Sequence, residues 1–339
     1  MMALRAKHIQ WGWALSAAVE MALKAVTSRP VEPIMLSQPI SVDQLPTPAL
    51  VLDRPIMDSN IQTMAKHLGH YSKGFRPHSK THKCPEIAKQ QIAAGAVGIC
   101  TAKVSEAAVM ANAGIGSILV TSPISTRDKA QVVNAIATEQ LELLLVVDSI
   151  EGMLAMQAEI DGDTRIGLLL DLDASTGRTG LRDNDLLLRL LGDIQSDSRF
   201  YFAGVQHYAG HVMHVHDFED RRDKSMRAWE RLADKFELLD RQGMRPEIVT
   251  GGGTGTFDID VTLEYLTDIQ VGSYIFMDEE YRQVGGADSN RFQGFDLALT
   301  VACTAISQPQ PSTITIDGGY KAFASDSVNP VCDALPDVE

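Results

Sequence analysis

The feature that most constrains the fold of this chain is a repeated alternation of short apolar runs with segments of helical length. The runs fall around residues 74–80 and at "AVGICTA" (96–102), "SILVTS" (117–122), "LELLLVVD" (141–148), "RIGLLLDLD" (165–173), "YFAGVQHY" (201–208), "EIVTGGG" (247–253) and "DIQVGSY" (268–274). Stretches such as "VSEAAVMANAG" and "TRDKAQVVNAIATEQ" separate them. Strands buried on both faces read as continuous apolar runs, and parallel neighbours need a crossover long enough for a helix. Eight such strand-then-helix units predict an α/β fold, a (β/α)8 TIM barrel. A doubly wound open sheet is the alternative, but no G-x-G-x-x-G follows the first strand.

Outside this rhythm the chain reads differently. "PALVLD" (48–53) is a strand ahead of the barrel, assigned to a second, β-rich domain, and the helical "IMDSNIQTMAKHLGHYS" follows it. After Phe276, "FDLALTVACTAISQ" and "STITIDGGY" alternate without a helix between them and predict antiparallel strands. The closing stretch "VNPVCDALPDVE" is irregular, so this second domain reads as incomplete at the C-terminus. The expected division is an extension and linker over 1–44, the barrel over 45–280 and a partial β domain over 281–339. Within the extension, Glu20 and Lys24 interrupt the apolar run, which is too short and polar to span a bilayer. An amphipathic helix or leader is the reading there, with a cleaved signal peptide as the alternative.

A net charge of −14 disfavours nonspecific nucleic-acid binding, so any phosphate-bearing ligand needs local cations or backbone N–H groups. The four cysteines contain no C-x-x-C pair, which argues for reduced thiols in a cytoplasmic protein. No membrane partner is expected, and the expected ligand is a small molecule.

Barrel active sites gather at the C-terminal ends of the strands, and chemistry-bearing residues do fall there. In "GFRPHSKTHK" (74–83), Arg76, His78, Lys80 and His82 share one parity, so an extended strand points all four to one face. A solvated turn is the plainer reading of so dense a run of charge. Across the barrel mouth, "TGGGTGT" and "VGSY" place Gly252, Gly253, Thr254, Gly272 and Ser273 at the ends of the seventh and eighth strands. Glycines admit close approach of an anion, and successive N–H groups form a phosphate nest; a tight turn alone explains only one or two of them. A strand-end lysine facing a phosphate cradle points to pyridoxal 5'-phosphate, anchored by its phosphate and joined to the lysine amine as a Schiff base. Parity selects Lys80 over Lys83, with Arg76 and His78 as the cations that disfavour its charged form.

Together "RPHSKTHK", "STGRTG", "YAGH", "TGGGTGT" and "QVGSY" resemble the D-threonine aldolase and eukaryotic-type D-serine dehydratase family, fold-type III pyridoxal-phosphate enzymes related to the N-terminal domain of alanine racemase. The resemblance runs from about Leu45 to the C-terminus. It implies that Lys80 is the Schiff-base residue, that Arg178 lies near the cofactor's phenolic oxygen, and that Tyr208 and His211 sit beside the ring and the substrate hydroxyl. It also implies a homodimer and a divalent metal (Mn2+ or Zn2+) held by a histidine with a cysteine or aspartate near the C-terminus. No such motif follows Phe276, so no metal ligands are assigned in this chain. His211, His214 and His216 form the one substitute cluster, and solvated loop histidines are its plainer reading.

The implied activity is a lyase on D-β-hydroxy-α-amino acids. Retro-aldol cleavage to glycine and an aldehyde is favoured, with His211 as the base at the β-hydroxyl. D-serine dehydration to pyruvate and ammonia is the alternative, and from another class, a non-catalytic pyridoxal-phosphate-binding protein. Racemisation would need a second base on the opposite face, which nothing in the sequence marks.

Overall fold

A computed structural model describes residues 39–161, 164–289, 291–292, 294–324 and 328–332. The helix or leader expected near the N-terminus lies outside the described residues. Of the extension, only a 3-10 turn at Val42–Gln44 with its flanking residues is described.

Strand β1 (Ala49–Leu52) runs into helix α1 (Arg54–His70), where Asp53 accepts from the Ile56 N–H at 3.0 Å and Pro55 occupies the first turn. Both are start signals, since the first-turn N–H groups have no partner within the helix. The eight units then follow as β2 (Gly74–Phe75), α2 (Pro85–Ala93), β3 (Ile99–Thr101), α3 (Val104–Asn112), β4 (Ser117–Val120), α4 (Arg127–Ile136), β5 (Glu142–Val147), α5 (Ile150–Glu159), β6 (Ile166–Leu172), α6 (Asn184–Ser196), β7 (Phe200–His207), α7 (Phe218–Glu230), α8 (Ala233–Arg241), β8 (Ile248–Gly251), the single turn α9 (Phe257–Asp260) and β9 (Asp268–Ile269). A short helix α10 (Glu279–Arg282) follows the last of them.

These strands form one parallel sheet in the order β2-β9-β8-β7-β6-β5-β4-β3. Its two ends meet: a parallel bridge joins His78 to Cys100, and the Cys100 N–H donates to the Pro77 carbonyl at 2.8 Å. The cylinder is thereby closed, as the eight apolar runs predict.

The apolar residues divide by strand parity. Leu143, Leu145 and Val147 pack outward with the helices, whereas Leu144 and Val146 join Cys100, Leu119, Leu169 and Ala203 in a separate cluster inside the barrel. Helix α6 shows the matching period: Leu187, Leu190, Leu191 and Ile194 are its buried residues, one face of a 3.6-residue helix. Helix α1, which precedes the first barrel strand, packs beyond the last. Its buried Asn60 donates to the Ile275 carbonyl at 3.2 Å and the Asp296 carbonyl at 2.8 Å, and accepts from the Asp296 N–H at 3.0 Å.

Strand β1 takes no part in the barrel. It pairs antiparallel with β10 (Leu299–Ala302), while β11 (Ala305–Gln310) pairs antiparallel with β12 (Thr313–Ile316). Both pairings carry the antiparallel character expected of the region after Phe276.

Among the described residues no helix is long and apolar enough to cross a membrane.

Candidate active site

The charged segment 74–83 is extended for only half its length. Pro77 has no N–H to offer a ladder, and at His78 the ring Nδ1 accepts the Lys80 N–H at 3.3 Å, turning the chain into a 3-10 turn over Ser79–Thr81. Parity therefore ends at His78, and the four cations do not share a face.

Arg76 lies buried among the starts of neighbouring strands, donating to Ser117 Oγ at 2.7 Å and standing 3.8 Å from Asp268. His82 turns into the protein, where its Nδ1 accepts the Cys84 N–H at 3.0 Å and burial lowers its pKa to about 4. Lys83 pairs with Glu106 at 3.2 Å. Of these four, His78 and Lys80 line the cavity at the C-terminal strand ends.

That cavity measures about 650 Å³ including its open mouth. Lys80 opens into it, with Nζ 5.6 Å from the centre of the Tyr208 ring. The Arg178 guanidinium lies 5.2 Å from the same ring. Enclosure by the walls lowers the pKa of Lys80, and Arg178 lowers it further. The cation that acts on Lys80 is thus Arg178 rather than Arg76, whose side chain is engaged by Ser117 and Asp268.

His78 is held neutral, its pKa lowered to about 3 chiefly by burial, then by Lys80, His82 and Arg178. With Nδ1 accepting from Lys80, the ring proton belongs on Nε2, 3.1 Å from Thr121 Oγ1. The Thr121 hydroxyl in turn donates to the Thr101 carbonyl at 3.1 Å.

The opposite wall is the glycine and hydroxyl cradle. Gly253, Thr254, Gly272 and Ser273 all line the cavity, and Gly252 does not. Gly252 has φ +63°, and a Cβ there would lie 2.5 Å from Asp260 Oδ2, so the glycine serves the turn behind the cradle. Thr254 is buried and its Oγ1 accepts the Tyr274 N–H at 3.0 Å, leaving the hydroxyl proton free to donate toward the cavity. Among the described residues, the N–H groups of Gly253, Thr254, Gly272 and Ser273 have no protein acceptor. Four open N–H donors, two hydroxyls and an amine across the mouth fit a phosphate-bearing aldehyde such as pyridoxal phosphate.

His211 does not join this group. It sits on the 3-10 turn Gly210–Val212, is exposed, and is not a cavity wall. His214 stands 3.2 Å from Glu280 and against the Tyr281 ring. Among the described residues no three His, Cys, Asp or Glu side chains converge on a metal position.

Several walls escaped sequence reasoning: Thr121, Ser122, Gln206, Gln270, Met213 and Tyr281. The two glutamines carried a readable signal, since each is a lone amide inside an apolar strand run, and buried amides need partners. Gln270 Nε2 donates to Gln206 Oε1 at 3.1 Å, and Gln206 Nε2 to Asp171 Oδ1 at 2.9 Å. Burial raises the Asp171 pKa to about 6, the Gln206 and Thr179 side chains opposing it. Met213 comes from a connecting segment and Tyr281 from the short helix α10, and neither had such a signal.

Residues 52–280 match the alanine racemase N-terminal domain. A D-threonine aldolase of Arthrobacter sp is 33% identical over 83% of this chain and 73% of that protein. The crystal structure of D-threonine aldolase from Filomicrobium marinum superposes with a TM-score of 0.82 at 32% identity, covering 87% of this chain and 79% of the other. D-threo-3-hydroxyaspartate dehydratase from Delftia sp. HT23 superposes with a TM-score of 0.74 at 26% identity, covering 84% and 74%. A closed barrel, a lysine turn facing a glycine cradle, and likeness along most of the chain agree: this protein belongs to the alanine racemase N-terminal domain family, among its D-threonine aldolase-like lyases.

Proposed function

We propose that the protein is a pyridoxal-phosphate-dependent lyase that cleaves D-β-hydroxy-α-amino acids by the retro-aldol route, giving glycine and an aldehyde. One observation carries this reading: Lys80, Arg178, Tyr208 and the 253–254/272–273 cradle share one cavity, in a chain whose aldolase relatives match along most of its length.

When bound, the cofactor acts as an electron sink for charge developing at the substrate Cα. The chain's own residues do the rest. Lys80 would hold the cofactor by condensing with its aldehyde with loss of water, and its lowered pKa favours the unprotonated, nucleophilic amine. The open N–H groups of Gly253, Thr254, Gly272 and Ser273, with the Thr254 hydroxyl, would hold the phosphate. Arg178 presents a cation beside Tyr208 that would favour negative charge on the cofactor's phenolic oxygen. Tyr208 forms a wall against which a flat ring can pack. His78 stays neutral and orients the lysine turn through its ring nitrogen.

The cavity offers the Lys80 amine as proton acceptor, whereas His211 is exposed and not among the cavity walls; a role for His211 at the β-hydroxyl is checked by His211→Gln. A homodimer is the assembly proposed by the resemblance.

The test is product analysis from D-threonine and D-serine, with and without Mn2+ or Zn2+, together with borohydride reduction and peptide mapping. Glycine and acetaldehyde with a pyridoxyl label on Lys80 support the reading. Pyruvate and ammonia from D-serine replace it with the dehydratase. Bound cofactor with no product in any condition replaces it with a binding protein, and a label on Lys83 overturns the site assignment.

A further inference from the structure

One layer inside the barrel is polar, in a row that crosses neighbouring strands. Asp171 on β6 stands opposite Gln206 on β7, Gln206 opposite Thr250 on β8, and Thr250 opposite Asp268 on β9. Residues in register on adjacent strands point to the same side of a sheet, and Gln270, two positions past Asp268, shares that side. Gln206 and Gln270 are also walls of the cavity, and both are buried.

The proton sense of this row is fixed from both ends. Gln206 Nε2 donates to Asp171 Oδ1 at 2.9 Å and to the Thr121 carbonyl at 3.2 Å. A carbonyl can only accept, so the Gln206 atom turned toward Gln270 is Oε1. Thr250 spends its proton on Asp268 Oδ1 at 2.5 Å and has only a lone pair left for Gln270. The Gln270 nitrogen therefore lies between two acceptors, 3.1 Å from Gln206 Oε1 and 3.2 Å from Thr250 Oγ1, with both its protons committed. Its Oε1 has no donor among the described residues and is not walled in, so it stays open on the cavity that the residue lines.

We propose that Gln206 is a positioning residue: it holds the Gln270 amide with its oxygen toward the cavity, as a fixed acceptor for the ring nitrogen of the cofactor in its protonated form. The charged walls and the cradle are donors, suited to the cofactor's aldehyde, phenolic oxygen and phosphate. The ring nitrogen is the one polar atom of the cofactor left over, and only with a proton can it meet an acceptor. A ring that keeps this proton is the stronger electron sink. This inference rests on the cofactor reading above.

The experiment compares pyridoxal phosphate with its 1-deaza analogue, in which C–H replaces the ring nitrogen. Affinities are measured by absorbance titration of the purified, cofactor-stripped chain, for wild type, Gln270→Met and Gln206→Met. Methionine keeps the length of each side chain without its amide. The preference for pyridoxal phosphate over the analogue should fall about ten- to hundredfold in Gln270→Met, the range of a hydrogen bond to a charged group. It should fall by less in Gln206→Met, where the Gln270 amide is free to turn an N–H toward the cavity. With 15N in the ring, the cofactor bound to wild type should give the resonance of a protonated nitrogen, shifted toward the unprotonated form in Gln270→Met.

A purely structural role predicts equal weakening of both ligands; that outcome, or an unprotonated ring nitrogen in wild type, overturns the proposal and leaves the cofactor reading standing. A wild-type chain that binds neither ligand refutes the cofactor reading, and this inference with it.

Discussion

Gly252 and Gly253 are neighbours in sequence and opposite in role, and alanine at each separates the two. At Gly252 the backbone is left-handed at φ +63°, which costs an alanine about 1–2 kcal/mol. The new methyl would also lie 2.5 Å from Asp260 Oδ2, a fully buried carboxylate that accepts from Ser225 Oγ at 2.6 Å and Thr256 Oγ1 at 2.5 Å. Moving Asp260 sacrifices at least one hydrogen bond to a charged group, about 1.5–3 kcal/mol. Gly252→Ala should therefore cost about 3–4 kcal/mol, near the upper end for a single substitution. Gly253 is outside the left-handed region, and its Cβ would meet Met213 Sδ at 2.9 Å, the movable end of a flexible side chain. Gly253→Ala should cost under about 1 kcal/mol, with its methyl beside an N–H donor of the cradle. The assay is guanidinium unfolding of the cofactor-free protein, so that ligand linkage does not enter, followed by titration with pyridoxal phosphate. Equal midpoints for the two variants would refute the assignment of Gly252 to the turn. Undiminished affinity in Gly253→Ala would refute the cradle.

Arg76→Ala should destabilise by about 3–5 kcal/mol, because it leaves Asp268 buried without its cation, yet borohydride labelling of Lys80 should persist; loss of labelling in a folded variant would return Arg76 to the site. His207 is buried with Nδ1 3.1 Å from the Leu172 carbonyl and Nε2 unpartnered, and burial lowers its pKa to about 4. A depressed folded-state pKa stabilises above the unfolded value of about 6.5 and is lost as pH falls toward 4, a contribution of roughly 3 kcal/mol. His207→Phe should therefore flatten unfolding free energy against pH across that window, measured by denaturant titration; an unaltered slope would show that the ring charges without penalty. Asp171 and Asp260, both raised to about 6, act in the opposite sense and remain in the variant as its residual slope.

Most of the barrel could be read from residue order, because a strand buried on both faces must be apolar throughout and a parallel neighbour must be reached by a helix. Seven of the eight runs contain their strand and β7 starts one residue ahead of its run, although β2 and β9 shrink to two residues each. The cradle was readable for a similar reason: glycines and hydroxyls at the ends of two late barrel strands are local in sequence and meet only because those strands pair. The site's cations were not readable in the same way. Parity assigned Arg76 to Lys80, but parity holds only where the backbone stays extended, and His78 ends that by capping the turn with its own ring. Arg178, a loop residue about a hundred positions away, takes the role instead.

Residue order thus determined the eight-unit alternation, the lysine-bearing segment and the glycine cradle, since each depends on side-chain size, polarity and backbone freedom over a few neighbouring residues. Closure of the sheet determined the rest. It placed Arg178 over Tyr208, sent Arg76 to the buried strand starts beside Asp268, and left His211 exposed, off the cavity wall. These are distances between residues far apart in the chain, and they exist only once strand pairing has fixed which ends of which strands share the mouth.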